Sequence, residues 1–209
     1  FSILTMTKKA KVLVVSPTPP PYSGPEVMTA HLLQSSLKDT YELIHFNISK
    51  NRDVSTKARF DRINVLYGLL QPIKLFWLML KHKPDAIYTN LAQNLGGFFR
   101  YASFILVIAL FRKPVIVRVM GDGFNHFYAS ANPVLKQLIK LTLRNITRFI
   151  VRANVLKEQF SGLVPPEKLC VVHSGIDTQA FDQPRSEQEN DTQRILFVGY
   201  LTKAKGAFD

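Results

Sequence analysis

The sequence is poor in cysteine, which limits the compartments that it fits. Its one cysteine, Cys170, cannot form an internal disulfide, and the absence of a disulfide framework is typical of proteins from a reducing compartment. We therefore expect a cytoplasmic protein. Because Cys170 lies in the apolar run 169–172, we also expect its side chain to be buried and unreactive.

Common cofactor and metal signatures are missing. The sequence contains neither the G-x-G-x-x-G dinucleotide pattern nor the G-x-x-x-x-G-K-[ST] phosphate loop. The predicted second strand, residues 41–46, ends at Asn47 and offers no acidic residue for a ribose. There is no Asp-x-Asp, and the five histidines show no metal-ligand spacing. We expect no cofactor and no metal, although a nucleotide or phosphate ligand bound by other means stays open.

Acidic residues are scarce relative to basic ones. Fifteen Asp and Glu face 27 Lys and Arg, for a net charge of +12 and a pI near 9.9. Such a balance attracts nucleic acid, anionic membrane or phosphorylated substrates. The basic residues are scattered and the recognised nucleic-acid motifs are absent. We therefore expect phosphate or a membrane surface, and no nucleic acid, as the partner.

Apolar runs of bilayer-spanning length are also lacking. The uncharged stretch between Arg100 and Arg112 holds eleven residues, too few to cross a bilayer. We favour a core helix over residues 96–111. The alternative hypothesis is a helix at the membrane interface, peripheral on the inner face of the cell membrane. That hypothesis puts four aromatic residues at the lipid headgroups beside three cations: Phe98, Phe99, Tyr101 and Phe104, with Arg100, Arg112 and Lys113.

The stretch from residue 11 to residue 37 organises the rest of the chain. Residues 12–15 form a short apolar run typical of a buried strand. Residues 16–24 hold four prolines and a glycine, so that strand cannot continue. Pro25 and Glu26 suit the first turn of a helix with an apolar stripe at Val27, Ala30, Leu33 and Leu37. Such a loop at a helix N-terminus is either an anion-binding site or an ordinary β-to-α connection.

Strands and helices alternate along the remaining chain. We predict strands over residues 41–46, 86–89, 114–119, 149–151 and 168–172. We predict helices over residues 61–83, with a bend at Pro72, over residues 96–111, and from Asn132-Pro133 and Asn154 onward. In the third of these helices Lys136, Lys140 and Arg144 form a row that faces either solvent or anionic lipid. The alternation predicts an α/β fold, a Rossmann-like parallel sheet with helices on both faces.

The end of the chain indicates a second domain. Residues 178–194 are polar and linker-like, and residues 195–198 begin a new strand. We predict an N-terminal domain over residues 8–178, a linker over 179–194 and the start of another domain over 195–209. The chain is expected to be the N-terminal piece of a two-domain protein, whose natural start is Met6.

Four segments, in order, resemble family 4 of the GT-B glycosyltransferases. They are SPTPPPYSGPEVMTAHLL, the pair KPDAIYTN and KPVIVRVMGD, VVHSGIDTQAF, and ILFVGYLTKAKG. They resemble, respectively, the family's first loop and helix, its "Pro-Asp-hydrophobic" strand with the strand ending in His-Gly, its "Asn-Gly-Val-Asp" turn, and its "Leu-Phe-Val-Gly-Arg-Leu" start of the donor-binding domain. The resemblance covers residues 11–209 and implies the N-terminal half of a GT-B fold.

The resemblance implies retaining transfer of a sugar from a nucleotide-sugar donor, without a metal, to a glycan or lipid-linked acceptor in surface glycan synthesis. It assigns Gly24 to close backbone approach, Glu26 to a polar contact in the cleft, and Lys205 to the donor phosphates. It also places Ser23, Gly121 and Gly175 among the substrate-binding positions. The N-terminus of the first helix would face the leaving diphosphate.

Several positions depart from the family pattern. Met120 replaces the cleft histidine, and Tyr200 replaces a phosphate-binding arginine. Gly121-Asp122 matches a Gly-Asp variant, in which Asp122 orients a sugar hydroxyl; it is otherwise a turn residue. The family's paired glutamates would lie beyond Asp209, so we expect residues 1–209 alone to be inactive. The alternative function is a non-catalytic binding or regulatory module.

Overall fold

The computed structural model describes residues 8–49 and 62–175, with the backbone alone for residues 62–67 and 69. Six parallel strands form one sheet in the order β2-β1-β3-β4-β5-β6. The strands are β1 (Lys11–Ser16), β2 (Glu42–Asn47), β3 (Ala86–Leu91), β4 (Val115–Val119), β5 (Arg148–Val151) and β6 (Leu169–Val171). This architecture confirms the predicted Rossmann-like α/β fold.

Helices connect successive strands. They are α1 (Gly24–Gln34), α2 (Leu37–Thr40), α3 (Arg62–His82), α4 (Leu95–Leu110), α5 (Phe124–Ala129) and α6 (Pro133–Arg144). Two 3-10 helices, Asn154–Phe160 and Pro166–Lys168, lie between β5 and β6. The start of α6 follows the predicted mechanism, because Pro133 occupies the first turn and the Asn132 side chain accepts a hydrogen bond from the Leu135 amide at 2.8 Å.

The main hydrophobic core lies on one face of the sheet. Strand register places Leu13 beside Ile87, and Ile87 beside Val115. These three residues belong to a cluster that also includes buried side chains of α3, α4, α5 and α6. Helices α3 and α4 pack against each other and form a layer over this face of the sheet.

Helix α1 packs on the opposite face. Strand register aligns Val14 with Tyr88 and Tyr88 with Ile116. Each of these residues is adjacent in sequence to a core residue, so its side chain lies on the opposite face of the sheet. Ser16 belongs to the Val14 face because side chains alternate along a strand, and its hydroxyl contacts Thr29 of α1 at 2.7 Å. Helices therefore lie on both faces, as predicted.

The prediction that the Cys170 side chain is buried is wrong, because that side chain is exposed. Its neighbour Leu169 points into the core with 9% of its surface exposed. Alternation along the strand turns Cys170 to the other face of β6, which is the outermost strand of the sheet. The strand predicted from the apolar run 169–172 is confirmed. The run alone did not show that one face of this strand is exposed to solvent.

The structure shows which faces of α1 and α4 are buried. The predicted apolar stripe of α1 is half-buried or exposed, and the fully buried residues of that helix are Glu26 and Thr29. In α4, Phe98, Tyr101 and Phe104 are buried, which excludes the interfacial arrangement. The favoured alternative, a core helix, is confirmed.

Helix α3 continues through Pro72, and the predicted bend there stays a prediction. The described residues up to Ser174 belong to one compact unit, and Gly175 is assigned to a second. The predicted linker, the predicted start of the donor-binding domain and Lys205 lie outside the described residues. The proposed domain boundaries stay predictions.

Candidate functional site

The order in which strands are added to the sheet reverses between β1 and β3. The chain passes from β1 outward to β2 and then returns across β1 to β3. At such a switch point the helices after the two central strands lie on opposite faces, which leaves a crevice at the carboxyl ends of the strands. Ligands of open α/β sheets bind in this crevice.

A cavity of about 420 Å³ lies at this point. Its lining comes from the start of α1, the β3–α4 connection, α4 and the end of β4: Pro25, Asn90, Leu91, Ala92, Gln93, Asn94, Tyr101, Met120 and Gly121. The first turn of α1 and the loop after β4, both of which the sequence singled out, therefore border one cavity.

The first turn of α1 forms the first wall of the site. Ser23 is the N-cap residue, and its hydroxyl donates a hydrogen bond to the Glu26 carboxylate. Glu26 has only 5% of its surface exposed. A carboxylate is stabilised in the first turn of a helix by the helix dipole, and its burial is tolerated where polar groups surround it.

A directed chain of hydrogen bonds lies behind this wall. The Thr29 hydroxyl donates to the Pro25 carbonyl at 2.8 Å, so its oxygen is left to accept from Ser16 at 2.7 Å. The Ser16 oxygen in turn accepts from the Asn90 side-chain amide at 2.7 Å. Ser16, Thr29 and Asn90 are all buried. This network fixes α1 to the ends of β1 and β3 and holds Asn90 at the cavity.

Tyr101 of α4 completes that side of the cavity. Burial raises the pKa of Tyr101, while nearby Arg100 and a hydrogen bond with Asn90 oppose the rise. The phenol therefore remains protonated at neutral pH and retains a hydroxyl donor. Asn90 and Tyr101 bring amide and hydroxyl groups to the cavity, and these groups suit sugar or nucleotide hydroxyls.

The opposite wall is held by two glutamines. The Gln93 side-chain oxygen accepts from the Gly123 amide at 2.9 Å, and a Cβ on Gly121 would lie 2.3 Å from that oxygen. The Gln159 amide group contacts Gln93, the Phe124 amide and the Gly121 carbonyl, each at 3.3 Å. The close approach of Gln93 explains why residue 121 is glycine.

A buried arginine lies beside the cavity on the α1 face of the sheet. Arg118 of β4 is paired in register with Asn90 and has 7% of its surface exposed. Its guanidinium donates to the Ser174 hydroxyl at 3.1 Å, and its Nε has no hydrogen-bond partner among the described residues. Burial raises the pKa of Tyr88, and Arg118 opposes that rise. The positive charge favours an anionic ligand nearby.

The predicted site residues fall into three groups. Gly121 lines the cavity, and so does Pro25, which lies between Gly24 and Glu26; Ser23, Gly24 and Glu26 themselves are not among its lining residues. Asp122 follows Gly121 and is exposed to solvent. Gly175 is exposed and belongs to the second unit, and Lys205 lies outside the described residues. The roles of all seven residues stay predictions.

Sequence reasoning missed several residues that build the site. They are Ser16, Thr29, Asn90, Gln93, Tyr101 and Gln159. Ser16 and Asn90 carried a usable signal, because each is a polar residue near the carboxyl end of an otherwise apolar strand. Gln159 carried none, because only the packing of the first 3-10 helix brings it to Gly121. Among the described residues, His, Cys, Asp and Glu side chains form no cluster that would hold a metal ion, and the lack of a metal stays an expectation.

Comparison with known proteins identifies the fold. No protein-family model matches the chain, and no curated protein matches it by sequence. Solved structures do match. A Listeria monocytogenes protein assigned as a UDP-N-acetylglucosamine 2-epimerase has a TM-score of 0.51 and 13% identity, over 78% of this chain and 45% of its own. Another UDP-N-acetylglucosamine 2-epimerase has a TM-score of 0.51 and 15% identity, over 78% and 48%.

A third match is MnaA of S. aureus, solved with UDP, with a TM-score of 0.50 and 14% identity, over 78% of this chain and 43% of its own. The chain thus spans about half the length of these structures. At such low identity the likeness shows the fold alone. It supports a GT-B-like, Rossmann-like arrangement and does not distinguish family 4 from other proteins of that fold.

Proposed function

We propose that this chain is the acceptor-side domain of a GT-B glycosyltransferase. The enzyme would move a sugar from a nucleotide-sugar donor to a glycan or lipid-linked acceptor in surface glycan synthesis, with retention of configuration and without a metal. The observation that carries the proposal is the cavity at the switch point, which Asn90, Tyr101 and Gly121 line beside the first turn of α1. The fold likeness to enzymes named for a UDP-sugar supports it.

In this proposal the first turn of α1 interacts with the leaving group. The bond from the anomeric carbon to the diphosphate oxygen breaks, a bond to the acceptor oxygen forms on the same face of the sugar, and the proton of the acceptor hydroxyl passes to the departing diphosphate. Negative charge then develops on the diphosphate, which the positive end of the α1 dipole stabilises. Gly24 is exposed, and a Cβ there would have no neighbour within 4 Å, so a ligand can approach its backbone.

Polar side chains orient the sugars. Glu26 accepts a hydrogen bond from a hydroxyl at the cavity, and Asn90 and Tyr101 supply further polar contacts. Asp122, exposed at the rim, accepts from a second sugar hydroxyl. By the resemblance, Lys205 contributes a positive charge to the donor phosphates from the other domain, and Ser23, Gly121 and Gly175 lie near the substrates.

The test is a transfer assay on the gene product with whatever sequence follows Asp209, using labelled nucleotide sugars and lipid-linked or glycan acceptors. We expect Glu26→Gln to lower kcat/KM about 10-fold to 100-fold, because a charge-assisted hydrogen bond to substrate is lost. The control is Glu42→Gln. Glu42 lies on β2 and forms an exposed ion pair with Lys11 at 3.9 Å. Equal activity of both variants would remove Glu26 from the site, and no transfer with any donor would overturn the proposal.

A second candidate is sugar-nucleotide epimerisation, since the matching structures carry that name. An epimerase would change the configuration of the donor sugar with no acceptor present. Product analysis by NMR, with and without acceptor, separates the two activities.

A third candidate is a binding or regulatory module. Met120 lines the cavity where the family resemblance expects histidine, and this loss of a polar group favours a site without chemistry. Such a module would bind UDP-sugars, as measured by calorimetry, while leaving them unchanged over hours.

A further inference from the structure

The outward face of α3 is apolar. Leu70, Ile73, Trp77 and Leu80 are 52%, 56%, 65% and 42% exposed. Their spacing of three, four and three residues places them on one stripe of the helix. A helix on the surface of a soluble domain normally turns polar side chains outward. Packing in the core of the domain therefore does not account for the apolar side chains of this stripe.

The inner face of the same helix already packs against the core of the domain. Gln71, Leu75 and Met79 are buried, and Gln71 accepts a hydrogen bond from Arg100 of α4 at 2.8 Å. Because α3 is fixed to α4 and to the core by this face, the outward stripe cannot rotate inward. Its four large side chains remain available to a surface outside the domain.

Positive charge borders the stripe. Lys74 and Lys81 are exposed, lie on the same side of the helix by the helical period and flank Trp77. The Lys74 ammonium also contacts the Phe46 ring of β2, 5.8 Å from its centre. The end of α4 extends this surface, because Phe111 packs on Phe76 with ring centres 5.3 Å apart. There Leu110 is 72% exposed, and Arg112 and Lys113 follow it.

Negative charge is nearly absent from this part of the chain. Between residues 62 and 113 the sole acidic residue is Asp85. Its carboxylate accepts a hydrogen bond from the Lys11 amide at 2.8 Å, which engages it at the start of β1. Along residues 62–113, the exposed apolar stripe therefore has several basic neighbours in sequence and Asp85 as the sole acidic one.

We propose that the outward face of α3, extended by Leu110, docks on an anionic lipid bilayer. Exposed Trp, Leu and Ile side chains insert at the headgroup boundary, while Lys and Arg side chains pair with lipid phosphates. Charge complementarity selects anionic over neutral lipid. Among the described residues no helix is long and apolar enough to cross a membrane, and the proposal requires docking rather than crossing. It stands whether or not the transferase activity is correct.

This surface differs from those that the sequence suggested. Three of the four aromatic residues of α4, Phe98, Tyr101 and Phe104, are buried, as described above. The basic row of α6, Lys136, Lys140 and Arg144, was the other candidate. We expect α3 to dominate because its cations border a continuous apolar stripe, so that electrostatic and hydrophobic terms add.

The chain contains a single tryptophan, Trp77, and its fluorescence therefore reports on this face alone. The experiment uses the 209-residue chain and two kinds of vesicle. One is neutral phosphatidylcholine, and the other is phosphatidylcholine with about 30% anionic phosphatidylglycerol. We expect a blue shift of Trp77 emission and quenching by brominated acyl chains only with the anionic vesicles. Sedimentation of the vesicles measures the bound fraction.

Two matched charge-reversal pairs separate a specific face from general charge. The variant Lys74→Glu/Lys81→Glu is compared with Lys136→Glu/Lys140→Glu, which changes the net charge equally. Each lysine near an anionic surface contributes roughly fivefold to binding. Loss of both charges of the α3 pair should therefore weaken vesicle binding by about 30-fold, and reversal of both charges by more. The α6 pair should weaken it by less than about threefold. Circular dichroism confirms that both variants fold.

The apolar contribution has its own variant. Ile73→Ser/Leu80→Ser keeps Trp77 and both lysines, and we expect it to weaken binding about tenfold or more, with reduced quenching of Trp77. Equal effects of the two charge-reversal pairs would overturn the proposal, as would binding to neutral vesicles or to neither kind. A Trp77 shift that depends on protein concentration without lipid would assign the face to a second copy of the chain instead.

Discussion

Two glycine-bearing loops lie at the same edge of the sheet but need their glycines for different reasons. At the end of the loop after β1, a Cβ on Gly24 would meet nothing within 4 Å. In the loop after β4, a Cβ on Gly121 would meet the Gln93 side-chain oxygen at 2.3 Å. The first glycine has no packing neighbour, whereas a side chain at the second would displace the end of Gln93 from its hydrogen bonds.

The difference shows how a glycine near a site should be interpreted. Gly121 is accounted for by Gln93 and Gln159, which hold residues 121–124 in place. Gly24 has no such neighbour, so the described packing does not require a glycine at this position. The loop after β4 is thus a fixed wall, whereas the start of α1 is open for an approaching group.

The largest expected effect is on the fixed wall. Gln159→Ala removes the partner of the Phe124 amide, the Gly121 carbonyl and the Gln93 side chain at a site where Gln159 is only 4% exposed. We expect a loss of about 2–3 kcal/mol in the free energy of unfolding, measured by urea denaturation. Gln34→Ala, at an exposed position of α1, should change it by less than about 0.5 kcal/mol. Equal effects would show that the glutamine network does not support the loop.

A paired glycine experiment tests the comparison directly. Gly121→Ala pushes Gln93 from its position and should cost about 1–2 kcal/mol of folding stability. Gly24→Ala lies in the first turn of α1 in open space and should leave stability unchanged or raise it by up to about 1 kcal/mol. If Gly24 admits a ligand, the same variant should weaken binding of UDP or a UDP-sugar, measured by calorimetry. A costly Gly24→Ala would break the comparison.

The smallest expected effect concerns pH. Burial raises the pKa of Tyr101 above its usual value near 10, so on alkaline titration the unfolded chain loses this proton before the folded one. Stability is therefore retained below about pH 10 and falls as the pH rises through the raised folded-state pKa, by at most about 1.4 kcal/mol per pH unit for this group. Tyr101→Phe should make the fall shallower in urea titrations between pH 9 and 11. Parallel curves for the two proteins would contradict the assignment.

Local signals predicted most of the elements. Asn132-Pro133 starts α6 because a capping side chain and a proline suited to the first turn act within four residues. Apolar runs predicted the strands to within two residues at each end, because fully buried strands have little choice of composition. The short helix α5 was missed because its start depends on Gln159, which accepts a hydrogen bond from the Phe124 amide from 35 positions away.

Burial of individual faces was harder to predict. Thr29 points inward because Ser16 offers it a polar partner, which Asn90 in turn holds in place, and Asn90 is distant in sequence. The apolar residues of α3 lie on both faces, so periodicity could not show which face meets the core. Cys170 was misassigned for the same reason, since an apolar strand does not reveal which of its faces is covered.

The sequence by itself determined the α/β alternation, the helix starts and the two loops that border the cavity, because these depend on residues close together in the chain. Only the tertiary structure decided that the loops meet at the switch point, that Gly121 is fixed by Gln93, and that Trp77 faces outward. Each of these outcomes depends on the order of the strands. That order brings together residues up to 74 positions apart, such as Asn90 and Ser16, and local propensity carries no information about it.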